Sequence, residues 1–411
     1  MNSRLKAFEI LQSILRDNAY SNLTLEKELK SVNTTDRAFV SKIVYGVIER
    51  KLTLDYALDK FLTGKTKPKL KIVLYIGAYQ VLFMDKVPAP VAIYETVELA
   101  GEVGLSYYKN VVNAVLRKID GFKQELENID DLSIKYSCPK NLINMWQKMY
   151  GEENTVNILS AINERPPVFA IPNRKFVTAD ELQYELFDSG ISCEVFGDVV
   201  KINGAFDLSE CKPFTNGLFY IEDLSSYTSA NVMNISKDDI VLDVCAAPGG
   251  KSFTMAQRAK TVYSLDIHEH RVELIKKSAK RLTFDNIIAK VNDATVYNCD
   301  LPMANKVLCD VPCSGFGIIR RKPEIRYKNL DEIKELFDIQ FAILQTSSRY
   351  LLPNGELLYS TCTLNKKENE KVVEKFLKSN PDFSLVKQKT IFPSSDGGDG
   401  FFYALMVKHN D

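Results

Sequence analysis

Residues Ile240–Ser252 read IVLDVCAAPGGKS, and this stretch decides the fold. Ile240, Val241, Leu242 and Val244 form a short apolar run of buried-strand type, a turn of small residues follows, and helical spacing begins at Lys251. Working outward, similar apolar runs recur at Val262–Asp266, Ile287–Val291, Val307–Asp310 and Leu357–Ser360. Helical stretches lie between most of them, at Lys251–Arg258, Glu269–Leu282 and Asp331–Leu352. Strands alternating with helices predict an α/β fold built on a doubly wound parallel sheet. The last apolar run, FFYALMVK from Phe401, follows the glycine-rich GGDG with no crossover helix and is expected to pair antiparallel.

The small-residue turn has a chemical reading. Ala246, Ala247, Gly249 and Gly250 leave the backbone open to close approach, and amides at a helix start favour a carboxylate or phosphate. Asp266 ends the next strand, 23 residues after Asp243, where a carboxylate can accept both hydroxyl hydrogens of a ribose. Asp293 follows the third strand, in reach of an adenine amino group or of the rim of the site. NAD calls for GxGxxG, whereas this loop is AxPGG. An ATP P-loop calls for GxxxxGK[ST], and Cys245 stands where its first glycine belongs. A purely structural turn leaves three acids at strand ends beside a glycine turn without a purpose. S-adenosylmethionine fits best.

Two cysteines stand just past strands of the same sheet, in CDVPCSG (Cys309–Gly315) and YSTCTL (Tyr359–Leu364). A lone cysteine there is usually a small buried apolar residue. Two of them, Cys313 and Cys362, at the mouth of one nucleoside pocket suit covalent catalysis on a pyrimidine. Carbon 5 is too weak a nucleophile to take a methyl group unaided, and a thiolate adding to carbon 6 converts the ring to an enamine. Asp310 is placed to hydrogen-bond the ring nitrogen or amino edge and activate the addition, and the base must be unstacked to be reached. The residues alone leave open which cysteine attacks. A metal site is excluded by spacing: His268 and His270 lie beside no second ligand pair, and Cys309 should be buried in its strand. There is no GxSxG elbow and no CxxC redox pair.

Between the cysteine loops lies GFGIIRRKPEIRYK, in which Arg320, Arg321, Lys322, Arg326 and Lys328 face one acid, Glu324. An exposed loop is the plain reading. Its place directly after the catalytic loop favours an RNA phosphate clamp, with Tyr327 able to stack on a base.

The first half of the chain differs. Helical spacing recurs from Arg4 to Phe122, with apolar faces at Leu54–Leu62, Leu70–Phe83, Val91–Ala100 and Val111–Ile119. That predicts an all-helical domain over 1–125. It carries 19 basic against 14 acidic residues, several in KFLTGKTKPKLK (Lys60–Lys71), a solvated loop or a phosphate-binding patch. An acidic linker leads to a small α+β subdomain over 132–221, and the catalytic domain covers 222–411. The subdomain is expected to contain helices around Asn141–Tyr150 and Thr155–Asn163 and the strand-like VFAIPN, CEVFGDVVKI and LFYIED.

Composition bounds these readings. The 411 residues hold 53 basic and 53 acidic side chains, which excludes a tail-driven polyanion binder but not a local basic groove. Eight cysteines are too few for a disulfide scaffold. The longest apolar run, Ile72–Met84, is too short and too polar to cross a bilayer, and MNSRLKAFEI lacks a signal-peptide core. A cytoplasmic protein with reduced thiols, no membrane partner and no metal is expected.

DVCAAPGGKS, LDI, ND, CDVPCSGFGIIRRKPEIRY, YSTCTLNKKEN and GDGFFYA together resemble the RNA cytosine-C5 methyltransferases. The likeness extends along the chain to the bacterial 16S ribosomal RNA branch, in which a NusB-like RNA-binding domain precedes a small α+β subdomain and a Rossmann-like catalytic domain. The resemblance implies that Cys362 attacks carbon 6 and Cys313 assists product release. It implies that Cys245, Ala246, Ala247, Pro248, Gly249, Gly250, Lys251, Asp266, Asp293 and Asp310 line the S-adenosylmethionine pocket, with Asp310 between cofactor and cytosine. It implies as substrate the 16S cytosine numbered 967; naked RNA or an early assembly intermediate is the expected partner, and nothing in the sequence demands more than a monomer. Thr363 stands where the family usually has serine, Val311 where alanine is common, and Phe316 is larger than expected; these bear on substrate fit. Two alternatives stand beside this reading: the same chemistry on transfer RNA or 23S RNA, and a non-catalytic factor that binds ribosomal RNA.

Overall fold

The computed structural model describes residues 2–17, 21–204, 206–394 and 397–409. The chain divides into two compact units, Met1–Asn163 with Arg321–Lys328, and Glu164–Arg320 with Asn329–Asp411.

In the first unit the expected apolar faces become the helices Ser3–Asp17, Thr34–Glu49, Lys51–Asp59, Pro68–Phe83, Ala89–Glu102 and Lys109–Asp120. Pro68–Phe83 starts on a proline, whose fixed φ suits the first helical turn, and is apolar on all sides. It buries Leu70, Val73, Leu74, Ile76, Ala78 and Leu82 in the core of the unit. Gly46 is needed for close packing against it, because a Cβ there would stand 1.9 Å from the Tyr79 ring.

The helices Lys140–Tyr150 and Glu152–Ala161, expected in the α+β subdomain, belong to this first unit instead. Polar bonds hold the 132–163 segment onto the helix Lys51–Asp59. The Leu52 amide donates to Ser137 Oγ at 2.9 Å and Thr53 Oγ1 to the Ile134 carbonyl at 2.5 Å. Arg326 completes the anchor. Its guanidinium donates to the carbonyls of Glu49 (2.9 Å) and Ser137 (3.1 Å) and to Asn163 Oδ1 (3.1 Å). Arg326 is 1% exposed, so it clamps no phosphate: the expected RNA contact is an internal strut. Tyr327 is likewise not displayed as a stacking platform, since its hydroxyl donates to the Ile48 carbonyl at 2.8 Å.

The second unit holds two sheets. In the smaller, β1 (Val168–Pro172), β2 (Cys193–Phe196), β3 (Val199–Ile202) and β4 (Phe219–Ile221) run in the order β2-β3-β1-β4, all pairs antiparallel. Thr178 and Glu181 form a capping box that starts the covering helix Ala179–Asp188. The larger sheet comprises β5 (Ile240–Asp243), β6 (Thr261–Asp266), β7 (Ile287–Val291), β8 (Ala304–Asp310), β9 (Leu351–Thr361), β10 (Phe383–Ile391) and β11 (Phe401–Lys408), in the order β10-β11-β9-β8-β5-β6-β7. The pairs from β7 through β9 are parallel, and β11 lies antiparallel between β9 and β10, as its lack of a crossover helix predicts. The strand order reverses beside β5, so the carboxyl ends of β5 and β8 flank a topological switch point, where open α/β sheets bind ligands.

Two expectations for the sheet also need correction. The helix expected over Asp331–Leu352 ends at Ser347, and Leu351 already pairs with Ala304 as the start of β9. The edge strand β10 has no counterpart among the expected strands. Arg326→Ala should lower the urea midpoint, costing about 2–4 kcal/mol for orphaned buried acceptors. The salt dependence of RNA binding should stay unchanged in the same variant, since no phosphate contact is lost.

Candidate active site

The ends of β5, β8 and β9 bring the sequence-predicted residues of the sheet to one edge. Gly249 has φ +114°, and a Cβ there would lie 2.4 Å from the Phe253 ring, so only glycine closes this turn. Behind it, Glu222 is buried and accepts from Ser226 Oγ (2.6 Å) and Thr254 Oγ1 (2.9 Å). Burial pushes the Glu222 carboxyl upward.

Lys251 leaves the loop for the end of β8. Its ammonium donates to Asp310 Oδ2 at 2.8 Å and lies 4.9 Å from the centre of the Phe401 ring. Burial alone would lower the Lys251 pKa, but the Asp310 and Glu222 carboxylates outweigh it and raise it. Asp310 is also held by Ser360 Oγ at 2.8 Å, while its side chain stays 28% exposed and reaches the opening. Asp243 ends β5 and accepts from Ser252 Oγ at 2.7 Å. Burial pushes its carboxyl up to about 7, and the nearby Asp310 charge adds to the shift.

The two remaining acids of the cofactor reading differ. Asp266, at the end of β6, is buried; its Oδ1 accepts from the His268 amide at 2.9 Å, and Arg271 stands 3.8 Å from its Oδ2. Asp293 is exposed and accepts from the amide and hydroxyl of Thr295 at 2.8 and 2.7 Å. Among the described residues no group of His, Cys, Asp and Glu could hold a metal ion.

Cys313 and Cys362 meet, their sulfurs 3.4 Å apart. The Cys313 thiol is pushed well up, first by its hydrogen bond with Cys362, then by burial and the charges of Glu368 and Asp310. At neutral pH Cys313 therefore keeps its proton, and either sulfur can act as donor in the contact between them. Cys309 sits inside β8, fully buried, and burial moves it up to about 12, so it takes no part in the chemistry.

Arg320 corrects a second RNA expectation. It is buried in an ion pair with Asp399, and it donates to the carbonyls of Ser394 (2.8 Å) and Gly397 (2.9 Å). It shapes the glycine-rich turn before β11 and does not face RNA. Of the predicted basic loop, Arg321 and Lys322 are partly exposed. Residues missed by sequence reasoning are Glu368, Gln340, Asn365 and Ser314. NKKENE, which contains two of them, reads as a charged surface run, and nothing in its spacing marks the buried acid.

Two family descriptions match the chain: "16S rRNA methyltransferase RsmB/F" over residues 230–407 and "NusB family" over residues 1–121. Relatives include the "Probable ribosomal RNA small subunit methyltransferase B" of Bacillus subtilis, 34% identical with 98% of both chains covered. The "Ribosomal RNA small subunit methyltransferase B" of Vibrio vulnificus is 30% identical and covers 99% of this chain and 100% of its own. Among solved structures, PH0851 superposes with a TM-score of 0.81 at 24% identity, covering 98% of this chain and 99% of its own. NSun6 from Pyrococcus horikoshii, solved with SFG, gives a TM-score of 0.61 at 21% identity and covers 66% of this chain and 99% of its own. These two structures share the fold.

The raised Asp243 sets a pH dependence of stability. Its folded pKa of about 7 exceeds the ordinary 3.8, so the unfolded chain ionises first and stability falls as pH rises between these values, levelling above. Asp243→Asn should flatten that window, an effect on the order of a few kcal/mol, read from urea midpoints at pH 4 and pH 7.

Proposed function

Because the chain belongs to the 16S rRNA methyltransferase RsmB/F family, we propose that it methylates carbon 5 of a cytosine in 16S ribosomal RNA, the family's cytosine 967, through a covalent Cys362 adduct. The methyl donor is S-adenosylmethionine. The site suits it: a side-chain-free turn at Gly249 and a buried Asp266 carboxylate whose Oδ2, among the described residues, has only Arg271 at 3.8 Å. Ala246, Ala247, Gly249, Gly250, Asp266 and Asp293 would hold it, with Asp310 at the cytosine side. When bound, it supplies an electrophilic methyl group for carbon 5.

The carrying observation is the 3.4 Å approach of two thiols beside Asp310. Asp310, fixed by Lys251 and Ser360, presents its carboxylate to the amino edge of an unstacked cytosine. Cys362 is taken as the nucleophile on the family's pattern, and the geometry suits it, since the Cys313 sulfur stands 3.4 Å from the attacking sulfur. The Cys362 sulfur bonds to carbon 6, and the ring electrons move to carbon 5. After methylation the carbon 5 proton leaves to solvent water, the electrons of that C–H bond re-form the 5,6 double bond, and the carbon–sulfur bond breaks with its electron pair returning to Cys362. Cys313 S–H meets that returning charge, which makes release its step. The helical NusB-type unit adds an RNA-binding module, and a monomer acting on naked RNA or an assembly intermediate completes the reading.

Incubating unmodified 16S transcript with the protein and S-adenosylmethionine should yield 5-methylcytidine by nucleoside mass spectrometry. Cys362→Ala should reduce it to background, and an active variant would refute the adduct. Cys313→Ala should accumulate a protein–RNA adduct that survives denaturing electrophoresis. Asp266→Ala should weaken S-adenosylmethionine binding by calorimetry about tenfold or more, the loss expected for charge-assisted hydrogen bonds.

A further inference from the structure

Glu368 is fully buried, and no lysine or arginine pairs with it among the described residues. An unpaired buried carboxylate is costly unless hydrogen bonds satisfy it. Here four donors converge: Oε2 accepts from the Ser314 amide (2.8 Å) and Gln340 Nε2 (3.0 Å), and Oε1 from Ser314 Oγ (2.5 Å) and Asn365 Nδ2 (2.8 Å). A carboxylate offers acceptors on both oxygens and no donor, so it matches this set in a way an amide does not.

The donors come from both sides of the thiol pair. Ser314 follows Cys313, and Asn365 lies three residues after Cys362. The residues directly after the two cysteines are also joined, Ser314 Oγ to Thr363 Oγ1 at 2.6 Å, and Thr363 Oγ1 accepts the Phe316 amide at 3.2 Å. Gln340 adds a bond to the Pro312 carbonyl at 2.9 Å, just before Cys313. Cys362 has independent support, since it leaves the end of β9 and Asn369 braces Thr361 Oγ1 (2.6 Å) and the Thr363 carbonyl (2.9 Å). Cys313 sits on an irregular loop, held beside the thiol by the bonds at Pro312 and Ser314 and farther off by the Val311 and Gly317 amides on the Ser360 and Cys362 carbonyls (3.1 and 3.0 Å).

We propose that Glu368 is a positioning residue for product release: it holds the Cys313 loop so that this thiol bears on Cys362 Sγ. The role rests on the two-thiol reading above. Glu368 touches no reacting atom and acts through Ser314. Its charge also helps to keep Cys313 protonated.

Glu368→Gln turns an amide NH2 toward two donors and loosens Ser314, so release should suffer while addition proceeds. Steady-state assays on unmodified 16S transcript should show kcat reduced by about 10- to 100-fold, as for the loss of one to two hydrogen-bond equivalents. KM for RNA and for S-adenosylmethionine should stay within about threefold. The denaturing gel should show an adduct intermediate in amount between wild type and Cys313→Ala. Ser314→Ala, which keeps the amide bond to Glu368 and loses only the hydroxyl, should give the same pattern more weakly, and serves if Glu368→Gln fails to fold by circular dichroism. Wild-type turnover without adduct in the folded variants, while Cys313→Ala does trap RNA, would overturn the positioning role alone. A KM rise at unchanged kcat would overturn it as well. No adduct in Cys313→Ala together with activity in Cys362→Ala would instead remove the two-thiol reading.

Discussion

The mouth of the catalytic sheet depends on two main chains passing at a distance that only glycine permits. A Cβ at Gly317 would stand 1.9 Å from the Gly400 carbonyl oxygen, and one at Gly400 would stand 2.8 Å from Gly317 Cα. At that distance the Gly317 amide reaches the Cys362 carbonyl (3.0 Å) and the Gly400 amide reaches the Gly317 carbonyl (2.9 Å). Three segments remote in sequence, the loop after Cys313, the end of β9 and the turn before β11, are thereby laced into one edge. Arg320 and Asp399 supply an internal ion pair at the same place, and the Ser225 hydroxyl ties the turn back through the Asp399 carbonyl at 2.8 Å. This lacing and the hydrogen bonds gathered on Glu368 together set the spacing of the sulfurs, because neither cysteine lies in regular secondary structure.

Much of this arrangement was legible in the sequence, for a definite physical reason. Parallel strands buried on both faces are continuous apolar runs, so β5, β6 and β8 declare themselves, and the small-residue turn after β5 declares a ligand. The cysteines and strand-end acids are visible because they stand at the last residue of a predicted strand or within three residues past it. Where the rule weakens, so does the reading. The edge strand β10, FSLVKQKTI, exposes Lys387 and Lys389, the lysine-bearing pattern by which edges avoid unwanted pairing, and it looks like a loop. The start of β9 is hidden by Pro353, Asn354 and Gly355, which form an irregularity in the ladder, with Asn354 at φ +60°.

Buried charge was the less legible layer. Counted along the chain, Arg320, Arg326 and Glu368 are surface residues, and two of them fall in a basic run that suggests phosphate. In the fold each finds acceptors or donors on backbone distant in sequence: Arg326 on carbonyls near positions 49 and 137, Glu368 on an amide at 314. No periodicity records such partners, since they exist only after the elements have been placed. Lys251 escaped this error because the glycine turn already marked its surroundings as a site.

Arg326 also has a consequence for the order in which the protein is made. The helical unit needs residues 321–328 as well as residues 1–163, yet translation delivers those eight residues only after most of the sheet unit has emerged. At about 5–20 residues per second, the helices wait on the order of ten seconds or more on the ribosome with the acceptors at Glu49, Ser137 and Asn163 unfilled. The helical half is therefore not a bead that matures first and is then carried along. Its last strut is inserted only after much of the sheet half has been made, so the helical unit cannot be completed from the first 163 residues alone.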